Sequence, residues 1–159
     1  MKKIINPYDL DKNMCFGCSQ KNPLGLKLKF MESGKYLHAT WQPGEYYQGY
    51  PNVLHGGIIS ALLDELGAWC ISIKAGTAGV TTEINIRYIA PVYINKGEIS
   101  MTAGIIELKE KNAKVLCQLF NSQSKLCAEA VAEFFLYPVE IAKSRFRYPG
   151  KEAFYKQSE

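Results

Sequence analysis

The chain has 159 residues, 47% of them apolar and 21% charged, with a formal net charge of +4. Such a length suits one ordinary domain, and the composition excludes intrinsic disorder. The charge is mild and contains no Lys/Arg block, which argues against a nucleic-acid partner.

The apolar runs read as too short to span a bilayer. Met1 to Pro7 carries two lysines but no apolar stretch behind them, so it does not read as a secretory signal. A cytoplasmic protein without membrane insertion is expected. The five cysteines, an odd number, are then expected as free thiols.

Residues 1–23 read as an irregular segment, with Pro7, Pro23 and a turn over Cys15-Phe16-Gly17-Cys18. Cys15 and Cys18 resemble half of a zinc site. A structural zinc takes four ligands, and no second such pair follows, so no metal is expected. Leu24 to Phe30 alternates apolar and polar residues, which predicts a half-buried strand. A turn centred on Ser33-Gly34 leads to a second strand, Tyr36 to Trp41, where His38 reads as a surface or edge histidine. Glu45 to Leu54 is a loop rich in aromatics, Gly and Pro.

From Gly57 to about Lys74 the pattern turns helical. Ile58, Leu62, Leu66, Trp69 and Ile73 recur at spacings of three and four, and Ile59, Leu63 and Ile71 widen the stripe. A helix this apolar is buried on nearly all sides. Its narrow remaining face holds Gly57, Ser60, Asp64 and Ala68, and Gly76 and Gly79 stop it. Four strands follow: Val80–Ala90, Glu98–Leu108, Ala113–Asn121 and Leu126–Tyr137. On the last, Leu126, Ala128, Ala130, Ala132 and Phe134 share one face, leaving room for the helix to lie across it. The economical arrangement is α+β: one long central helix wrapped by a curved antiparallel sheet over residues 24–137, followed by a tail at 138–159. One helix cannot cover both faces of such a sheet, so a homodimer at least is expected. The basic residues of the tail, Lys143, Arg145, Arg147, Lys151 and Lys156, read as a solvated surface.

His55-Gly56-Gly57 opens the helix. A helix start offers unpaired N–H groups and partial positive charge, which suits an oxygen becoming negative. The Gly57 N–H is the candidate oxyanion donor. Asp64 is the candidate base or nucleophile, because a carboxylate inside an apolar helix is costly to desolvate; capping a neighbouring backbone or pairing with Arg87 are its structural alternatives. Glu65, about 100° further round, is a weaker candidate for the same role. His55 reads as a positioning or substrate-contacting residue beside Gly56, and the Thr81 hydroxyl could orient a water. Gly57 and Asp64 are about 10.5 Å apart along the axis, too far to act on one carbonyl. Two antiparallel helices across a dimer axis would bring the Gly57 end of one to the Asp64 level of the other.

This element order, with Val53-Leu54-His55-Gly56-Gly57 through Leu63-Asp64-Glu65 opening the helix, resembles the hotdog-fold thioesterases of the PaaI-like group. Gly79-Val80-Thr81 through Ala90-Pro91 resembles the strand that follows in that family, and Cys15-Phe16-Gly17-Cys18 with Asn22 to Leu26 resembles a subgroup of it. The resemblance covers about residues 14–137 and implies hydrolysis of an acyl-CoA thioester, with coenzyme A as part of the substrate and no other cofactor. On the matching positions Gly57 would polarise the carbonyl, Asp64 from the other chain would act as base or nucleophile, and Thr81 would help place water. It also implies dimers, often paired into tetramers. Family members often carry Asn six residues before the histidine, where this chain has Gly49. That departure keeps open a non-catalytic acyl-CoA or small-ligand binding protein on the same fold, beside a weaker dehydratase or hydratase reading.

Overall fold

The computed structural model describes residues 1–9 and 12–155. Lys156, counted above among the basic tail residues, lies outside them. The elements run β1 (Lys2–Lys3), β2 (Phe30–Ser33), β3 (Tyr36–Trp41), α1 (Gly56–Cys70), β4 (Gly79–Tyr88), β5 (Ile99–Leu108), β6 (Asn112–Phe120), β7 (Leu126–Leu136) and α2 (Val139–Phe146). The seven strands form one antiparallel sheet in the order β1-β2-β3-β5-β6-β7-β4. α1 lies across it and touches β3, β4, β5, β6 and β7. This is the hotdog fold: a long apolar helix held in an open antiparallel sheet.

The helix buries Ile59, Leu62, Leu63, Leu66, Gly67, Trp69 and Cys70, while Gly57, Ser60, Asp64 and Ala68 stay on the less buried side. Below it, Ala128, Ala130 and Ala132 of β7 are almost wholly buried, as the small-residue face requires. Gly67 completes the close approach, since a Cβ there would stand 3.1 Å from the Phe134 ring and 3.3 Å from Cys117 Sγ. After Cys70 the chain widens into a π-helical turn, Ile71–Ala75, and stops at Gly76, whose φ of 72° suits glycine.

The helix with its π turn, Gly56–Ala75, is 20 residues long with a mean hydropathy of 1.4, long and apolar enough to cross a membrane by length and composition. The expectation of apolar runs too short to span is corrected accordingly. Ser60, Asp64 and Glu65 interrupt the run without lowering its average enough. Half of this segment is buried inside the protein, against the sheet.

Other expectations shift at the sheet margin. The strand expected at Leu24–Phe30 begins only at Phe30 and runs to Ser33, making a tight hairpin with Tyr36–Trp41 around Gly34-Lys35. Leu26 and Leu28 are buried as the alternation demands. Lys27, however, has φ 56°, which breaks a ladder, and the backbone bonds instead to the loop before it. Leu26 N–H donates to Phe16 O and Leu28 N–H to Gly17 O. Lys2–Lys3, expected to be irregular, adds a short strand beside β2. His38 lies on an interior strand rather than an edge, with Nε2 buried and unpartnered, and burial lowers its pKa. The tail folds back as α2 and a 3-10 turn at Lys151–Phe154, placing Phe154 in the core against Trp69 and Tyr8.

Candidate functional site

His55 is the N-cap of α1. Its backbone is extended and its Nδ1 accepts the Gly57 N–H at 2.8 Å. The reason is general, because an N-cap side chain takes the second or third N–H of the helix it opens. The Gly57 N–H, expected as the oxyanion donor, is therefore occupied within its own chain. The first-turn N–H left without an acceptor among the described residues is that of Gly56. Tyr88 closes over this residue, donating its hydroxyl to Gly56 O at 3.0 Å.

A groove of about 330 Å³ opens onto the helix tip, lined by Gly49, Tyr50, Val53, Leu54, His55 and Gly56. Gly49 leaves this wall without a side chain. Beyond Val53, which bridges to Tyr93, lies a second cavity of about 470 Å³ bordered by Tyr93, Lys96, Ser122 and Lys125. Two cationic side chains there suit phosphate groups.

Asp64 lies two turns further along α1. It makes no ion pair with Arg87; its Oδ1 accepts the Thr81 hydroxyl at 2.6 Å. Thr81 belongs to β4, a ten-residue edge strand that is exposed along most of its length. The predicted residues thus separate into two groups in one chain: His55, Gly56 and Gly57 at the helix tip, and Asp64 with Thr81 under the open sheet edge.

Glu65 faces elsewhere. Its Oε1 accepts the Trp69 indole N–H at 3.0 Å and lies 3.4 Å from Cys15 Sγ. Cys15, Cys18 and Glu65 bring their donor atoms within 4.8 Å of one another. Burial, then the nearby Cys15 charge, pushes the Glu65 carboxyl up to about 7. A hydrogen bond from Cys18 holds Cys15 down at about 5, while that same contact and burial push Cys18 up. The sequence offered Cys15 and Cys18 but not their third companion, fifty residues away.

The thioesterase-superfamily family model matches residues 51–128, the span from the groove loop into β7. An uncharacterised protein of Schizosaccharomyces pombe is 29% identical over 114 residues, which is 69% of this chain and 65% of that protein. Among solved structures, a thioesterase from Haemophilus influenzae aligns with a TM-score of 0.66 at 22% identity, covering 72% of this chain and 80% of that one. A Streptococcus mutans protein bound to acetyl-CoA aligns at 0.64 and 18% identity, covering 70% and 90%. The fold is the hotdog fold of these solved structures, and over residues 51–128, just under half of the chain, the sequence is similar to the thioesterase superfamily.

Proposed function

We propose that this protein is an acyl-CoA thioesterase of the PaaI-like group, working in the cytoplasm as a dimer or pair of dimers with a composite site. The observation that carries the reading is the unpaired Gly56 N–H at a helix tip facing a groove, with a carboxylate two turns away under an unpaired strand edge. Gly56 takes the donor role first assigned to Gly57. Eight residues separate Gly56 from Asp64, about 12 Å along the axis, so a single chain cannot present both to one thioester. Pairing of two β4 edges would satisfy their free backbone groups and bring a partner helix alongside.

In such a site the Gly56 N–H, backed by the positive end of the α1 dipole, stabilises the oxyanion of the attacked thioester. Asp64 of the partner subunit takes the proton of a water as it adds to the carbonyl carbon, or attacks that carbon itself. Where water is the nucleophile, the C–S bond then breaks and the thiolate takes up the proton that Asp64 holds, giving free acid and coenzyme A. Where Asp64 attacks, C–S cleavage releases the thiolate to be protonated by solvent and leaves an acyl–aspartyl anhydride, which a water then hydrolyses to the free acid and the restored carboxylate. Thr81 fixes the carboxylate by donating to one oxygen, leaving the other for water. The acyl group occupies the groove beside Tyr50, while Lys96 and Lys125 meet the phosphates of coenzyme A. The S. mutans protein's acetyl-CoA supports a ligand of this kind.

A second reading, a non-catalytic acyl-CoA binder, draws on Gly49, which supplies no polar side chain to the groove. A panel of short, aryl and long acyl-CoAs, followed by free-thiol release, separates the two. Turnover on one class, lost in Asp64→Asn, is the expected outcome. Tight binding of every member without turnover selects the binding protein.

A further inference from the structure

We propose that Cys15, Cys18 and Glu65 form a site for one divalent cation of the zinc class, bound by two thiolates and a carboxylate and pinning the N-terminal loop to α1. The three donor atoms lie within 4.8 Å of one another, although the sequence separates the cysteines from Glu65 by about fifty residues. Around a tetrahedral zinc, with Zn–S about 2.3 Å and Zn–O about 2.1 Å, a sulfur and an oxygen ligand stand about 3.6 Å apart. Cys15 Sγ and Glu65 Oε1 stand 3.4 Å apart.

The loop is built around that carboxylate. A Cβ at Gly17 would fall 2.3 Å from Glu65 Cδ, so any side chain there would push the carboxylate out of its place under the loop. The backbone on either side of the cysteines is fixed: Cys15 N–H donates to Asn13 Oδ1, and Phe16 O and Gly17 O accept from Leu26 and Leu28. The Trp69 indole N–H donates to that same Glu65 Oε1 and so orients the carboxylate toward the loop, a supporting bond of the kind ligating carboxylates usually have. No lysine or arginine pairs with Glu65 among the described residues. Two thiols and a carboxyl gathered without a cationic side chain share protons among themselves; a divalent cation would replace those protons, and soft sulfur donors select zinc over calcium or magnesium. Binding releases the thiol protons, and the fourth position is left to water. Cys15 is partly exposed, which provides the entry path.

The test uses the full chain, reduced and stripped with a chelator, and titrated with Co²⁺ as a spectroscopic stand-in. The expected result is one Co²⁺ per chain, with thiolate-to-metal charge transfer in the near ultraviolet and the intense visible bands of a tetrahedral site. Zn²⁺ bleaches these bands and protects Cys15 from alkylation. Cys18→Ser and Glu65→Gln weaken binding at least tenfold, while Cys127→Ser, on β7, leaves it unchanged. Absence of the charge-transfer band in the wild-type protein, with its thiols verified as reduced, overturns the proposal. So does a Cys15–Cys18 disulfide in protein kept under reductant, or equal weakening by Cys127→Ser. The wild-type titration needs no variant to fold, and none of these measurements reads thioester hydrolysis.

Discussion

Asp64 and Glu65 are consecutive acids on one helix, yet the fold gives them opposite surroundings. Asp64 projects toward β4, bonds a single hydroxyl and lies beneath a sheet edge with no neighbour on its far side. Glu65, about 100° round the helix, is enclosed by the N-terminal loop and held by an indole and a thiol. Burial there raises its pKa toward neutrality. Residue type therefore says little about role. An acid held by one hydroxyl beneath an open sheet edge is placed to meet a substrate, whereas one enclosed by a loop is pushed toward its protonated form or finds a cation.

The largest effect expected from this contrast is that of Asp64→Asn. Asparagine keeps the shape and can still accept the Thr81 hydroxyl, so the unfolding midpoint should hardly change. Loss of the base should lower kcat by roughly 10²–10⁴. Steady-state kinetics on the best substrate of the panel, with circular dichroism on the same sample, checks both halves. Activity within a few-fold of wild type would make Asp64 as structural as its neighbour, and the contrast would collapse.

The two glycines at the helix tip allow the next cut. Proline is tolerated at the first helical position, where its missing N–H has no helical partner, and it prefers an extended residue before it. His55 already has φ −62° and ψ 133°. A Cβ at Gly56 meets only ordinary contact, 3.5 Å from the Tyr88 ring. Gly56→Pro should therefore fold normally while losing about 10²–10³ in kcat, the usual cost of one oxyanion donor. Co-expressed with Asp64→Asn it should recover activity, because a mixed dimer carries one site with both groups intact. Folded hybrids that stay inactive would place donor and acid in the same chain.

Much of this was legible beforehand. The spacing of Leu62, Leu66, Trp69 and Ile73 located the helix, and the alanines of β7 identified the face it packs on, because burial imposes periodicity directly on residue type. Backbone satisfaction was harder to read. Leu26 and Leu28 point inward as alternation demands, but alternation does not reveal that Phe16 and Gly17, rather than a strand, accept their N–H groups. That the Gly57 N–H is taken within its own chain was recoverable, since an N-cap side chain accepts from the second or third helical N–H. The meeting of Cys15 and Cys18 with Glu65 was not, because only the tertiary fold sets which loop covers which side of a helix.

A third carboxylate sharpens the comparison at smaller scale. Glu32 of β2 is paired with Lys74, from the π turn that ends the helix, and accepts the Tyr155 hydroxyl at 2.9 Å. Lys74 also donates to Gly34 O at 2.6 Å, tying the β2–β3 hairpin to the helix end. Burial alone would raise the Glu32 pKa, but the bonds from Lys74 and Tyr155 outweigh it and the net shift is downward. Glu32 is therefore pushed toward its charged form and Glu65 toward its protonated form, because only Glu32 has a cation already beside it. A carboxyl whose folded pKa is depressed stabilises the native state above its unfolded pKa and loses that contribution as pH falls through the folded value. Glu32→Gln should cost about 1.5–3 kcal/mol at neutral pH, the scale of hydrogen bonds to charged groups. The gap between variant and wild type should hold down to the ordinary carboxylate range and narrow below it. Urea unfolding at a series of pH values measures this. A gap that stayed constant into acid would mean that Glu32 acts through packing rather than charge, and the distinction between a paired and an unpaired buried acid would lose its electrostatic basis.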